Sequence, residues 1–271
     1  MLRNLARLGR YRGLIQSLVA RELKARYRGS VLGFFWSFFN PLLLLLVYSF
    51  VFTYVMTGAH DPRTEPYALF MFCGLLPWTW FSSSLIEASG VLISGGNLIK
   101  KVLFPAEILP IVTVLANLVH YLFGLVILAG FLIWYRRPLN FSELALFPVV
   151  VLVQLILTTS FALLLSALTV HFRDIRDILS NLLTFWFFAT PIIYPYFMFQ
   201  DPLTGQETWQ GQLLKLNPFT HLAITYQEIL FFNGPVGHLK WLLVLGVISM
   251  GFFLFAYWVF DRLRDTFAEE V

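Results

Sequence analysis

The sequence is poor in charge and almost without cysteine. Only 13% of its 271 residues are charged, about half the usual share of a soluble domain. So few charges cannot keep in water a chain that is 58% hydrophobic with a mean hydropathy of +0.74, because a soluble fold of this size leaves much of its surface to be covered by polar groups. That excludes a soluble enzyme, a disordered chain and a nucleic-acid binder. The single cysteine, Cys73, excludes an intrachain disulfide and a cysteine-based metal cluster. No glycine is followed by lysine, so there is no Walker A phosphate cradle. His-Glu-x-x-His and Gly-x-Ser-x-Gly are also missing, and with them two common hydrolytic centres. No tandem repeat and no Pro- or Ser-rich linker interrupts the chain. The five histidines are scattered, and His171 and Asp174 read as part of a charge cluster rather than an acid/base pair.

What is present is long apolar runs and rings: 29 Phe, 8 Trp and 11 Tyr. Six uncharged windows are long enough for helices of about 20 residues that cross a membrane. They predict spans near 34–57, 67–92, 108–135, 145–170, 179–197 and 240–260. The first 30 residues hold eight basic side chains and one acidic one. With this head inside, the inner segments also contain Lys100, Lys101, Arg173, Arg176, Arg262 and Arg264, against Arg63, Arg136, Arg137, Lys215 and Lys240 outside. That asymmetry predicts six spans with both termini cytoplasmic. The first apolar run exceeds a signal-peptide core and lacks a small-residue cleavage site, so it is expected to stay in the mature chain.

Three segments carry mechanical content. Between Tyr11 and Tyr27, Leu14, Ile15, Leu18, Val19 and Leu23 recur at helical spacing among basic residues, which predicts an amphipathic helix in the inner interface. Gly29 and Gly33 then flank a turn into the first span. In the loop 94–107, Gly95-Gly96 breaks the second span; Asn97 is expected to cap a short rod, Leu98 to Phe104, stopped by Pro105. Lys100, Lys101 and Phe104 are expected to project from it as a docking knob. After the fifth span, Pro191 and Pro195 break the helix, and Asn217-Pro218 reads as a cap and first helical residue. The helix from Pro218 to about Asn233 reaches only ~22 Å, short of the ~30 Å core, so 197–235 reads as a re-entrant or interfacial hairpin. Glu87 is the main ionisable residue inside a span. It is either part of an ion pathway or an interfacial carboxylate bonded to a neighbouring helix. With one such residue and no nucleotide motif, energy for uphill transport is expected from another chain.

The ordered motifs Arg21-Glu-Leu-Lys-Ala-Arg-Tyr-Arg-Gly-Ser-Val-Leu-Gly33, Trp36 with Asn40-Pro41, Arg173-Asp-Ile-Arg-Asp177, Trp186-Phe-Phe-Ala-Thr-Pro-Ile-Ile-Tyr-Pro195 and Leu216-Asn-Pro218 together resemble the membrane subunit of type-2 ABC exporters of polysaccharides. The resemblance covers nearly the whole chain and is nearer the O-antigen and teichoic-acid branch than capsule exporters. It implies an all-α polytopic protein of six transmembrane helices, an N-terminal interface helix and a re-entrant hairpin between the fifth and sixth. The expected organisation is one domain: 1–33 interface helix and turn, 34–260 bundle, 261–271 cytoplasmic tail.

The same resemblance implies a homodimer in the bacterial inner membrane, served by two cytoplasmic ATPase subunits that bind ATP and Mg. No cofactor, metal or catalytic residue is expected in this chain, and no nucleic acid among its partners. Lys100, Lys101, Phe104, Glu107 and Arg21 are implied to couple to the ATPase, and Leu32 and Gly33 to form the cytoplasmic gate. A lipid-linked glycan is the implied cargo, moving between first and fifth spans. Aromatic faces stack on sugars and let them slide, which makes Trp36, Phe39, Tyr48, Trp186 and Tyr194 the expected path residues. The competing readings are the same fold exporting a drug or small lipid, and a membrane-embedded transferase acting on lipid-linked sugar.

Overall fold

The computed structural model describes residues 11–55, 61–100, 104–138, 140–200, 206–232 and 236–270. Among the described residues the chain is helical without a β-strand; one isolated bridge joins Gln200 and Glu207. The helices are α1 Arg12–Arg26, α2 Trp36–Phe50, α3 Tyr67–Ser94, α4 Gly96–Ile99, α5 Ile108–Trp134, α6 Phe141–Leu144, α7 Phe147–His171, α8 Ile175–Phe188, α9 Trp209–Leu214, α10 Pro218–Gln227, α11 Leu239–Leu263 and α12 Phe267–Glu270. A 3₁₀ turn, Gly33–Phe35, and a wide turn, Val51–Val55, extend α2 at its two ends.

Four helical stretches are long and apolar enough to cross a membrane: Tyr67–Ser94, Ile108–Trp134, Phe141–His171 and Leu239–Thr266. These match the expected second, third, fourth and sixth spans. The expected fifth span does not hold its predicted extent. Instead of 179–197, α8 covers Ile175–Phe188, 14 residues, about 21 Å at helical rise. Pro191 explains the early stop: it offers no amide hydrogen to continue the ladder and disfavours helical backbone just before it.

Helix α3 is the centre. In its most apolar stretch 78% of residues are buried, against 28% in α11, although α3 has the lowest hydropathy of the four. In lipid this order is expected, because helices associate through small and polar residues rather than through oiliness. α3 places Gly74, Ser84, Ala88 and Ser89 in contact with its neighbours, and fully buried Gln154 of α7 donates to the Pro77 carbonyl at 2.8 Å. α5 and α7 pack on α3, and α11 packs on the outside of α7.

The bundle has two dissimilar ends. One carries α1, α4, residues 172–174 and α12. Here α1 turns Leu14, Ile15, Leu18 and Val19 onto Ile108 and Val112 of α5, so the amphipathic helix is docked on protein by its apolar face. The turn out of it uses Gly29 at φ +80° and Gly33 at φ +49°, left-handed backbone in which a side chain is strained. The opposite end carries loop 61–66 and the described residues of 135–146 and 189–238.

Candidate translocation and coupling surfaces

The end of α8 presents a chemical problem that the fold solves with side chains. A helix leaves its last carbonyls without intrahelical donors, and the irregular segment 189–195 adds more. Thr190 Oγ1 donates to the Trp186 carbonyl at 2.8 Å, and Tyr194 Oη donates to the Phe188 carbonyl at 2.8 Å. Asn217 Nδ2 donates to the Ala189 carbonyl at 3.1 Å and to Thr190 Oγ1 at 2.8 Å. Gln227 Nε2 reaches the Pro191 carbonyl at 2.9 Å, and Tyr67 Oη donates to the carbonyl of Ile193. Tyr67, Asn217 and Gln227 thus hold one non-helical strip together with its own Thr190 and Tyr194.

Asn217 is the hub. Its Oδ1 also accepts from Trp186 Nε1 at 2.6 Å and from the Phe219 amide at 2.9 Å. It is the N-cap of α10 with Pro218 following, as its sequence neighbourhood predicts. Every residue of α10 from Phe219 to Gln227 is buried, so this ten-residue helix is inserted into the bundle, not laid over it. A wide turn, Glu228–Phe232, follows; the expected end at Asn233-Gly234 lies outside the described residues. Cations from neighbouring segments clamp the same region: Arg63 lies 3.8 Å over the Phe197 ring, and Arg137 lies 4.5 Å over Phe231. Arg63 also pairs with Asp61, whose carboxyl it holds down at about 2.

Two of the expected path residues are placed differently from the expectation. Trp186 turns into the bundle, edge-on to Trp78, Phe81 and Phe161, with its N–H on Asn217. The hydrogen-bond requirement of the indole decides that direction. Tyr194 is half-buried and spends its hydroxyl on the α8 terminus. The rings that α8 does expose are Phe185 and Phe188, with Ile178 and Leu182 on the same face. On α2 and the turn before it, Phe35, Phe39, Leu43, Val47 and Phe50 are exposed, Trp36 and Tyr48 half-buried. Trp36 donates to Ser30 Oγ at 3.0 Å and meets Phe39 edge-on. Leu32 is exposed beside Gly33.

At the other end, the expected rod from Leu98 to Phe104 is seen in part, and its residues 101–103 lie outside the described residues. α4 spans Gly96–Ile99 with Gly95, not Asn97, in the cap position. Lys100 and Arg21 are exposed, and Lys101 lies outside the described residues. Phe104 does not project: it packs inward between the cluster under α1 and the cluster around Leu92 and Phe260. Glu107 is 5% exposed at the start of α5. Apolar area gains more from burial than from display.

Sequence reading missed two features here. Phe267, in what reads as a free tail, is fully buried against Phe260 and beside His171; its signal is one aromatic among polar residues. The other is the identity of the partners in a polar brace around Glu87. Arg26 of α1 pairs with Glu87 of α3, and its other guanidinium nitrogen donates to Asn117 Oδ1 of α5 at 3.0 Å. Asn117 Nδ2 donates to Glu87 Oε2 at 2.7 Å. Of the two readings of Glu87, the structure supports the interhelical carboxylate. The signal was an Asn and a Glu inside apolar runs, where each needs a partner.

Among the described residues no cluster of three or more His, Cys, Asp or Glu side chains is arranged to hold a metal.

The profile of the ABC-2 type transporter family matches residues 13–231. An O-antigen export system permease protein of Myxococcus xanthus is 41% identical over 271 residues, covering all of both chains. A protein of the same name from Klebsiella pneumoniae is 29% identical, over 97% of this chain and 96% of the relative. The polysialic acid transport protein of Escherichia coli is 23% identical over 79% and 80%. With the profile spanning most of the chain and one relative alike from end to end, this multi-pass membrane chain belongs to the ABC-2 type transporter family.

Proposed function

We propose that this chain is the membrane subunit of an ATP-driven exporter that moves a lipid-linked polysaccharide across the bacterial inner membrane through a path between two copies of itself. It is a transport subunit; ATP and Mg belong to a separate ATPase docked at the end bearing α1 and Lys100. In this reading the basic end is cytoplasmic, as the Lys and Arg asymmetry requires. Each subunit contributes six membrane-crossing segments within one domain, α2 with its flanking turns being the first and α8 the fifth. The described residues between 189 and 232 form a re-entrant outer gate.

One observation carries the proposal. α8 ends ~21 Å from its start, within the ~30 Å hydrocarbon depth, and the chain continues as non-helical backbone from Ala189 to Pro195. Irregular backbone at that depth is tolerated only against protein or beside a water-filled cavity. A glycan needs such a cavity, because its hydroxyls must stay hydrated or hydrogen-bonded throughout the crossing. The exposed rings of α2 and α8, Phe39, Phe185 and Phe188 with Trp36 at the rim, give it sequence-tolerant surfaces. Arg21 and Lys100 face the ATPase, Phe104 and Glu107 support the loop from beneath, and Leu32 and Gly33 shape the inner gate. The names of the relatives favour a glycan over a drug or small lipid.

Surface-glycan display is the test. Deleting this chain should abolish display and leave lipid-linked glycan on the inner face, with restoration only when chain and ATPase are both supplied. Unchanged display, with accumulation of a small lipid or drug instead, would select the competing cargo.

A further inference from the structure

Beside the proposed path, a cavity of about 560 Å³ lies within one protomer. It is a half-open cleft lined by the end of α1 and by α2, α3 and α5. Its volume falls in the usual range of small-molecule sites, ~300–1,000 Å³.

We infer that this cavity is a binding site for one neutral sugar unit, an inference that rests on the glycan-export reading. Charge decides against an anionic ligand. Among the described residues the one cation in the lining, Arg26, is consumed by Glu22 at 3.8 Å, by Glu87 and by Asn117. A phosphate or carboxylate would therefore meet the carboxylate of Glu87 and, among the described residues, no unpaired cation. Hydrogen-bonding capacity is nevertheless concentrated there. Asn40 and Ser83 line the cavity from α2 and α3. His120 of α5 engages Tyr27 through Nδ1 at 3.3 Å, while its buried Nε2 has no partner among the described residues. Such an orphaned nitrogen is costly unless a ligand or water meets it. Both recorded bonds of Glu87 fall on Oε2, which leaves a second carboxylate oxygen as an acceptor for a hydroxyl.

The remaining wall suits a sugar's C–H face. Trp36 stands half-buried in the lining, next to Pro41, Leu44 and Val47. Planar amides, a carboxylate and an imidazole beside an indole satisfy a polyol that is polar at its rim and apolar on its faces. Leu44 and Val47 are also on the exposed face of α2, so the cavity shares a wall with the proposed path. A sugar seated there would be held by weak, reversible bonds as the polymer passes.

The experiment is saturation-transfer NMR on the assembled exporter in detergent, with methyl glycosides of glucose, galactose, mannose, rhamnose and N-acetylglucosamine as probes. Transfer to the ring protons of at least one glycoside is expected. Asn40→Leu, at an exposed position that tolerates change, and His120→Phe should each weaken that glycoside's binding about fivefold, the worth of one net hydrogen bond. Assembly is checked by gel filtration for both variants. Three results would overturn the inference: no transfer to any glycoside, binding unchanged in Asn40→Leu with assembly intact, or displacement by dihexanoyl phosphatidylcholine, which would make this a lipid pocket. Surface-glycan display separates the two readings. Display that depends on the chain without glycoside binding sinks the sugar site alone, whereas display independent of the chain sinks the export reading.

Discussion

Replacing Asn217 by alanine removes four hydrogen bonds at once. Two are donated to the end of α8, one holds the indole of Trp186, and one caps α10. Losing the cap alone costs ~1 kcal/mol. The stranded Trp186 N–H and Ala189 carbonyl add ~1–3 kcal/mol each if no water replaces Asn217. Interhelical hydrogen bonds in membranes are weaker, averaging ~0.6 kcal/mol, so four of them set a floor of about 2.4 kcal/mol. About 2.4 to 4 kcal/mol is the expected range, which at ~2–4 °C per kcal/mol is a fall in Tm of roughly 5–16 °C. Asn217→Asp keeps the accepting oxygen for Trp186 and the cap but loses both donated bonds, and should fall between alanine and wild type. The assay is thermal unfolding of the purified complex in detergent, followed by tryptophan fluorescence, with surface-glycan display measured at matched protein levels. Display should decline in the same order, because the strip that Asn217 holds is the proposed gate. A Tm for Asn217→Ala within about 1 °C of wild type would refute the view that side chains hold the end of α8.

Reversing charge at Lys100 and Lys101 together should loosen the ATPase or uncouple hydrolysis from export; unchanged assembly, hydrolysis and display would reduce the pair to an orientation signal. Phe267→Ala empties a fully buried site and should cost ~3–5 kcal/mol, read as a lowered Tm and faster proteolysis near Arg264; a stable variant would mean the tail is not docked. The purified chain alone should hydrolyse no ATP, with activity appearing only on adding the ATPase subunit. In a background where buried Cys73 is replaced, cysteines at Lys100 and Glu65, both exposed, should label from opposite sides of the membrane, Lys100 from the cytoplasm; labelling from the same side would overturn the topology.

Membership of the bilayer, four of the long helices, the turn at Gly29 and Gly33 and the cap at Asn217 were legible in the sequence. Each follows from local chemistry: an unbroken apolar run must leave water, a glycine admits positive φ, and an Asn before Pro begins a helix. The family was legible too, because its motifs lie in order along the chain. Which face of a helix meets a neighbour was not legible. The hydrophobic pattern of a membrane helix carries little directional information, since lipid and protein interior are almost equally apolar. Trp186 therefore read as a path residue, although only the distant Asn217 could take its N–H and so turn it inward. Phe104 read as a knob, although Phe260 and the α1 base offered it a place to pack. Arg26, Glu87 and Asn117 are far apart in sequence, and the demand that buried polar groups find partners says that each must be paired but not with which. The sequence determined what this chain must dissolve in and where its helices begin; the tertiary structure alone decided partners, because pairing is a property of three-dimensional neighbours that one-dimensional spacing does not encode.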